Sequence, residues 1–321
     1  MAHVRRAVVD VGTNSVKLLV AEVSGHDVQP VLEDSKQTRL GKGFYETRRL
    51  QPDTVEQTAR AVALFAAQAR ELNVQSIRVI ATSAARDAIN PEDLTSAIER
   101  TSKLKVEIIS GEQEADWAFQ GVTTDPELAP VPLLLLDVGG GSTEFILGHG
   151  EQKHFRHSFP LGTVRMLEQF PHGDPPAAQE LSGCRAWLRS FLQKEVRPAL
   201  VPALKQETEL DTQHRKVQLV GTGGTASILA RMELKMEGYD RERIESIRLS
   251  FEQVRRHRER LWTLPLDERR GIIGLPPKRA DVILTGVAIY EGVMEEFDFG
   301  ELRFSTRGLR FAAVMEQQAG L

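Results

Sequence analysis

The sequence predicts an α/β protein of two domains, and three features support this prediction. The chain has 321 residues, which is more than a single hydrophobic core usually serves. A strand, a glycine turn and a second strand occur twice, first at Asp10 and again at Asp137. Each copy opens a half of the chain in which strand patterns are followed by helical ones. This order of elements is typical of α/β domains.

The first half opens with predicted strands over residues 4–34. The first strand ends at Asp10, and the turn after it consists of Gly12, Thr13, Asn14 and Ser15. A glycine at a strand end lets backbone N–H groups approach a phosphate, because no Cβ stands in the way. An acid beside such a turn can hold a hard cation such as Mg²⁺. We therefore predict a phosphate-binding turn with an adjacent metal ligand.

The segments that follow this turn leave alternatives open. The basic, glycine-rich residues 37–44 are either a mobile surface connection or a rim over an anionic substrate. A helix is predicted over 52–71 and a strand over 76–81. Arg86 follows this strand, and it either belongs to an anion-binding turn or is simply exposed to solvent. After a helix over 91–103 and a strand over 105–109, Glu114 lies at a helix start. An acid there complements the helix dipole, but its place just before the Asp137 hairpin favours a functional role.

The second half opens with the most informative stretch of the chain, residues 132–148. Two apolar runs flank a turn and predict a hairpin of buried strands. That turn consists of Gly139, Gly140, Gly141, Ser142 and Thr143, with Asp137 before it and Glu144 after it. A third turn follows an apolar run and precedes a helical pattern; it consists of Gly221, Thr222, Gly223, Gly224 and Thr225. Three such turns predict a phosphate site between two related halves.

The rest of the second half predicts helices and two further strands, over residues 153–159 and 302–304. A helix over 177–196 is expected to end before Pro198, because the residue before a proline disfavours helix. It carries Cys184, the only cysteine, which we expect to be a buried reduced thiol; there is no cysteine cluster for zinc. A helix over 251–261 is expected to expose four arginines to solvent, namely Arg255, Arg256, Arg258 and Arg260.

Composition narrows the function classes. The net charge of −4 argues against general nucleic-acid binding, which requires a basic surface. The chain lacks an apolar run of about 18 residues, and its first residues do not form a signal peptide. We therefore expect a cytoplasmic protein that binds neither nucleic acid nor membrane.

Eight motifs, in order along nearly the whole chain, resemble those of the exopolyphosphatase/guanosine pentaphosphate phosphohydrolase (Ppx/GppA) family. They read DVGTNSVKLLV, ATSAARDAIN, ISGEQEA, LDVGGGSTE, PLGTVR, GTGGT, RADVILTGVAI and STRGLR. That family belongs to the superfamily of actin-like ATPases and sugar kinases. The resemblance implies two ribonuclease-H-like domains facing a cleft, over residues 1–124 and 125–305, with a helix at 306–320 that packs back on the first. The chain resembles the short, two-domain form of the family.

The resemblance also implies an activity and its residues. The reaction would be metal-dependent hydrolysis of the terminal phosphoryl group of inorganic polyphosphate, with a preference for short chains; conversion of pppGpp to ppGpp is the alternative. Glu114 would be the general base, with Glu144 as its rival, and Arg86 would contact substrate. Asp10, Asp137 and Glu144 would hold Mg²⁺ or Mn²⁺, and the three turns with Lys17 would bind phosphates. The resemblance is compatible with a homodimer and does not decide the oligomeric state.

Two other classes of protein could use the same scaffold. A sugar or acetate-type kinase would use the same turns with ATP, although the sole adenosine-site feature is the stretch from Thr285 to Val287. Phosphate release from polyphosphate without an acceptor would distinguish the phosphatase from it. An actin-like assembly module would bind nucleotide tightly and polymerise, which light scattering with ATP would reveal.

Overall fold

The computed structural model describes residues 3–210 and 215–316. The chain divides into two compact units. Unit 1 contains the described residues up to Asp125 together with those from Arg307 onward, and unit 2 is Pro126–Thr306.

The elements are as follows. The strands are β1 (Val4–Val11), β2 (Ser15–Ser24), β3 (Asp27–Gln37), β4 (Ser76–Ala81), β5 (Val106–Ile108), β6 (Leu133–Val138), β7 (Thr143–His149), β8 (Gln152–Phe159), β9 (Gln218–Thr222), β10 (Arg248–Ser250) and β11 (Glu301–Phe304). The helices are α1 (Phe44–Thr47), α2 (Pro52–Glu71), α3 (Ser83–Asp87), α4 (Pro91–Ser102), α5 (Gly111–Val122), α6 (Thr163–Gln169), α7 (Ala178–Phe191), α8 (Arg197–Leu210), α9 (Gly223–Glu233), α10 (Arg241–Ser246), α11 (Phe251–Thr263), α12 (Leu266–Arg270), α13 (Ile283–Phe297) and α14 (Leu309–Met315). A π-helical segment, Leu192–Val196, precedes α8, and a 3₁₀ turn, Pro277–Arg279, precedes α13.

Five strands of each sheet share one topology, and the sheet of unit 2 has a sixth strand, β10, antiparallel to β11. In unit 1 the strand order is β3-β2-β1-β4-β5, and in unit 2 it is β10-β11-β9-β6-β7-β8. Strands β1 to β3 form antiparallel hairpins, and β4 and β5 continue in parallel from β1. Strands β6 to β8 repeat the hairpins, and β9 and β11 continue in parallel from β6. The predicted fold class, two α/β domains, is therefore confirmed.

Strand β1 shows why unit 1 is layered. Val9 and Val11 pack into a core with α2 and α4, whereas Val8 faces a second core formed with α5 and α14. Successive side chains of a strand point to opposite faces, so a strand with apolar residues at consecutive positions is buried on both sides. Helices cover both faces of this sheet.

The helix that was predicted to end before Pro198 does not end there. Helix α7 continues through the π-helical segment into α8, which contains both Pro198 and Pro202. Proline clashes with the carbonyl one turn earlier in a regular α-helix. The wider π turn comes directly before Pro198, and the Arg197 N–H donates to the carbonyl of Leu192. The altered register explains how the helix accommodates the proline.

Two further predictions on this unit concern buried side chains. Arg258 was expected in solvent and is instead buried, donating to both carboxylate oxygens of Glu291 at 3.0 and 2.7 Å. A buried charge is costly unless it is paired, and Glu291 of α13 provides the partner. Cys184 is a buried free thiol, as predicted, and burial raises its thiol pKa to about 12. No helix in the described ranges is long and apolar enough to cross a membrane.

Candidate active site

The predicted site residues of unit 1 lie at one edge of its sheet. The parallel strands β1, β4 and β5 end there in register at Val11, Ala81 and Ile108. The Thr82 N–H donates to the Val11 carbonyl at 3.2 Å, and the Ile109 N–H donates to the Ala81 carbonyl at 3.0 Å. The Gly12 turn, α3 and α5 therefore leave the sheet side by side.

The Gly12 turn is held by its own backbone and by the loop after β3. The Gly12 N–H donates to the Ser15 carbonyl at 3.0 Å, and the Gly41 N–H donates to the Thr13 carbonyl at 2.7 Å. A Cβ on Gly41 would lie 2.3 Å from Cγ2 of Thr13, so this approach requires glycine. The loop of residues 37–44 is thus attached to the turn, and it presents the exposed side chains of Arg39 and Lys42 beside it.

Asp10 lies at the end of β1 with a buried carboxyl group. Its Oδ1 has no hydrogen-bond partner among the described residues. Burial raises the pKa of this carboxyl, while the positive charges of Lys17 and Arg310 act in the opposite direction. Lys17 is the residue opposite Asp10 in the β1–β2 pair. An unsatisfied carboxylate oxygen beside a glycine turn fits a hard divalent cation, which prefers oxygen ligands.

Arg86 and Glu114 form an ion pair at the same edge. Nη1 of Arg86 lies 2.8 Å from Oε2 of Glu114 and also donates to the Ile109 carbonyl at 3.2 Å. Ser110 is the N-cap of helix α5, and its hydroxyl accepts from the Gln113 N–H. This cap positions Glu114 in the first turn. Both side chains are largely buried, so the guanidinium and the carboxylate hold each other in a defined orientation.

The equivalent edge of unit 2 lies at the ends of β6, β9 and β11. Asp137 is paired with Thr222 across the parallel β6–β9 strands. Gly223 follows with a φ of +82°, and a Cβ there would lie 2.3 Å from Oδ1 of Asp137. A Cβ on Gly221 would lie 2.9 Å from the Tyr290 hydroxyl. The third turn therefore needs glycine both for its backbone conformation and for its contact with Asp137.

The turn at Gly139–Ser142 is packed against the start of α6. The N–H groups of Thr163 and Val164 donate to the carbonyls of Gly139 and Gly140 at 3.0 and 2.8 Å. A Cβ on Gly162 would lie 2.5 Å from the Gly140 backbone. Helix α6 thus fixes the path of this turn.

Glu144 lies just after this turn and is 1% exposed. Its Oε1 accepts from the Ser142 hydroxyl at 2.8 Å and from the Ser158 hydroxyl at 2.7 Å. Ser158 lies opposite Glu144 in the β7–β8 pair. Ser158 was not identified from the sequence, because its place opposite Glu144 follows only from the pairing of β7 with β8.

The remaining predicted feature, the stretch from Thr285 to Val287, is used for helix packing. The Thr285 hydroxyl donates to the Thr163 carbonyl at 2.8 Å, and a Cβ on Gly286 would lie 2.5 Å from Cγ2 of Thr225. This contact holds α13 against α6 and α9. A structural role therefore accounts for the feature that had suggested an adenosine site.

The fold defines a protein class: two α/β units of matching topology, as in the actin-like ATPases, each with glycine turns at the ends of its parallel strands. The chain belongs to the Ppx/GppA phosphatase family, whose model matches residues 19–317. It is 33% identical to Exopolyphosphatase 2 of Mycobacterium tuberculosis over 310 residues, which are 92% of each chain. The solved Aquifex aeolicus Ppx/GppA enzyme has a TM-score of 0.77 at 29% identity, covering 98% of this chain and 100% of that one. An exopolyphosphatase from Cytophaga hutchinsonii has a TM-score of 0.82 at 26% identity, covering 96% of both.

Proposed function

We propose that this phosphatase is an exopolyphosphatase, a phosphoric anhydride hydrolase that removes the terminal phosphoryl group of inorganic polyphosphate and releases phosphate. The observation that carries the proposal is the pair of Arg86 and Glu114 beside the Gly12 turn. Phosphoryl transfer to water depends on positioning and on charge stabilisation. Glu114 offers a base for the water, and Arg86, whose Nη1 lies 2.8 Å from Oε2 of Glu114, offers a cation for the transferred phosphoryl group.

The roles follow from the contacts of each side chain. Glu114 orients the attacking water and accepts its proton. Arg86, anchored by Glu114 and by the Ile109 carbonyl, stabilises the charge of the phosphoryl oxygens. Glu144 is less suited as the base, because two hydroxyl groups already bind its Oε1. We therefore assign Glu144 to the group of metal ligands and not to the role of the base.

Asp10, Asp137 and Glu144 are the residues that would hold Mg²⁺ or Mn²⁺. The buried, unsatisfied Oδ1 of Asp10 supports this assignment. The cation would neutralise phosphate charge. The turns, with backbone N–H groups and Lys17, would bind the phosphates themselves.

Positive side chains beside the turns support a polyanionic substrate. Arg39 and Lys42 lie in the loop attached to the Gly12 turn, and Nη2 of Arg279 lies within 3.2 Å of the Cβ position of Gly224. A small group of cations can neutralise only a few phosphates at a time, which supports a preference for short chains. Hydrolysis of pppGpp is the alternative use of the same groups.

The test is steady-state phosphate release from short polyphosphate and from pppGpp, side by side, with Mg²⁺ and without a phosphoryl acceptor. We expect the higher kcat/KM with polyphosphate. A higher kcat/KM with pppGpp would replace the proposed substrate, and phosphoryl transfer from ATP to an added sugar or acetate would replace the reaction itself.

A further inference from the structure

We propose that unit 2 contains a separate binding site for a divalent transition-metal ion, Zn²⁺ in the first place, formed by His149, His154 and Glu207. One ligand atom from each residue lies within 4.8 Å of the other two. Two imidazole nitrogens and one carboxylate are a common protein ligand set for Zn²⁺. They differ from the all-oxygen groups proposed for Mg²⁺.

The backbone brings the two histidines together. His149 is the last residue of β7. The pairing of β7 with β8 shifts between Leu147 and Gly148, so that Leu147 pairs with Phe155, Gly148 pairs with Lys153, and His154 is the extra residue of a β-bulge. A bulge redirects the side chain of its extra residue. A Cβ on Gly148 would lie 2.1 Å from the Gln152 carbonyl, so this close pairing needs glycine.

Glu207 approaches from α8 and is fully buried, with 0% exposure. A buried carboxylate is costly unless it is paired or bound to a metal. Among the described residues, its ion-pair partners are these two histidines. The site is therefore built around a buried negative charge, with the histidine side chains 29% and 13% exposed at its rim.

The contacts leave a role for a cation. Nδ1 of His149 lies 2.7 Å from Oε1 of Glu207 and is within hydrogen-bonding geometry. Nδ1 of His154 lies 2.5 Å from Oε2 of Glu207, yet both atoms lack a hydrogen-bond partner in the described chain. Their separation is short, but their orientation does not suit a hydrogen bond. A metal ion bound by both atoms would satisfy them.

The site is separate from the phosphate turns. Thr143 and His149 are the two ends of β7, and the six steps between them along a strand span about 20 Å. Three protein ligands leave one position of a tetrahedral ion for water. Because the ligands come from the β7–β8 hairpin and from α8, the ion would connect the helix to the edge of the sheet and stabilise unit 2.

The experiment compares Zn²⁺ binding by three forms of the full chain after treatment with EDTA: wild type, the double variant His149→Gln/His154→Gln, and the control His157→Gln. His157 lies on β8, is exposed, and does not belong to the cluster. Equilibrium dialysis with Zn²⁺, followed by elemental analysis, should show about one more equivalent bound to wild type and to the control than to the double variant. Zn²⁺ should also raise the midpoint of thermal unfolding of wild type and of the control more than that of the double variant.

A second measurement uses wild type alone and does not depend on the folding of a variant. Co²⁺ bound at this site should give the strong visible absorption of a four-coordinate ion, and Zn²⁺ should abolish it. A six-coordinate ion on carboxylates would absorb only weakly. Equal Zn²⁺ uptake by wild type and a folded double variant, or a Co²⁺ spectrum of the weak type only, would overturn the proposal.

Discussion

Glu114 lies at the start of α5 with its carboxylate 2.8 Å from Arg86, so the proposed mechanism makes a specific prediction at this residue. Glu114→Gln keeps the size of the side chain and removes the base. We expect kcat to fall by roughly 10²–10⁴-fold, with little change in the affinity for polyphosphate measured by equilibrium binding. The matched control is Glu112→Gln, an exposed acid in the same helical turn, which should retain wild-type kcat. If Glu114→Gln keeps more than about a tenth of the rate while Glu144→Gln is inactive, the two acids exchange roles.

Asp10 supports a prediction on stability as well as on metal use. Burial raises the pKa of its carboxyl in the folded state above the ordinary value of 3.8. The folded protein therefore binds this proton more tightly, and the associated stability is lost as the pH rises through the raised pKa. In EDTA at neutral pH, Asp10→Asn should melt a few degrees above wild type, and the difference should shrink toward pH 4. The same variant should need more Mg²⁺ for half-maximal activity. A neutral-pH melting point below that of wild type would show that the charged carboxylate is not the destabilising group.

At the scale of the element, a strand–turn–helix unit shows how one glycine can serve both backbone and site. Gly223 has a φ of +82° and would place a Cβ 2.3 Å from Oδ1 of Asp137. Gly223→Ala should lower the free energy of unfolding by about 1–3 kcal/mol and should reduce activity by displacing Asp137. Both effects are measurable by urea denaturation and steady-state kinetics.

The control has the opposite expected sign. Gly183 lies exposed in α7, and a Cβ there would meet no atom within 4 Å. Gly183→Ala should therefore stabilise the protein by about 0.5–1 kcal/mol, because glycine disfavours helix, and should leave kcat unchanged. If the two substitutions changed the free energy of unfolding and kcat equally, the proposed need for glycine at position 223 would be contradicted.

At the scale of the whole molecule, the proposed cations predict how a long substrate is digested. A substrate held at a few phosphates should be released between cuts, and its binding should weaken with salt, since exposed charges are screened. Gel analysis of a long-chain digest should show all chain lengths drifting downward together. Untouched long chains beside fully digested product would mean processive action and would contradict the proposed preference.

The double variant Arg39→Gln/Lys42→Gln should raise KM more than it lowers kcat.

The local pattern of the sequence determined much of this molecule. Apolar runs that end at an acid and a glycine, at Asp10 and at Asp137, predicted the duplicated α/β units, because strand periodicity and glycine turns are properties of short segments. Cys184 was likewise predicted to be buried from its own helical pattern. Only strand pairing, however, brought Arg86 next to Glu114 and Ser158 opposite Glu144, since these partners are separated in the chain.

What the tertiary structure alone decided are the features that depend on distant partners. Arg258 was expected in solvent, and only the packing of α11 on α13 provided Glu291 to neutralise it. Glu207 lies beyond Pro198, the proline before which the helix was predicted to end. The π-helical segment allows the helix to continue through that proline and so to include Glu207. A bulge in β8 then brought His154 to the carboxylate of Glu207. Local periodicity cannot reveal such sites, because the burial of a charge and the shift of a strand register are set by neighbours far away in the chain.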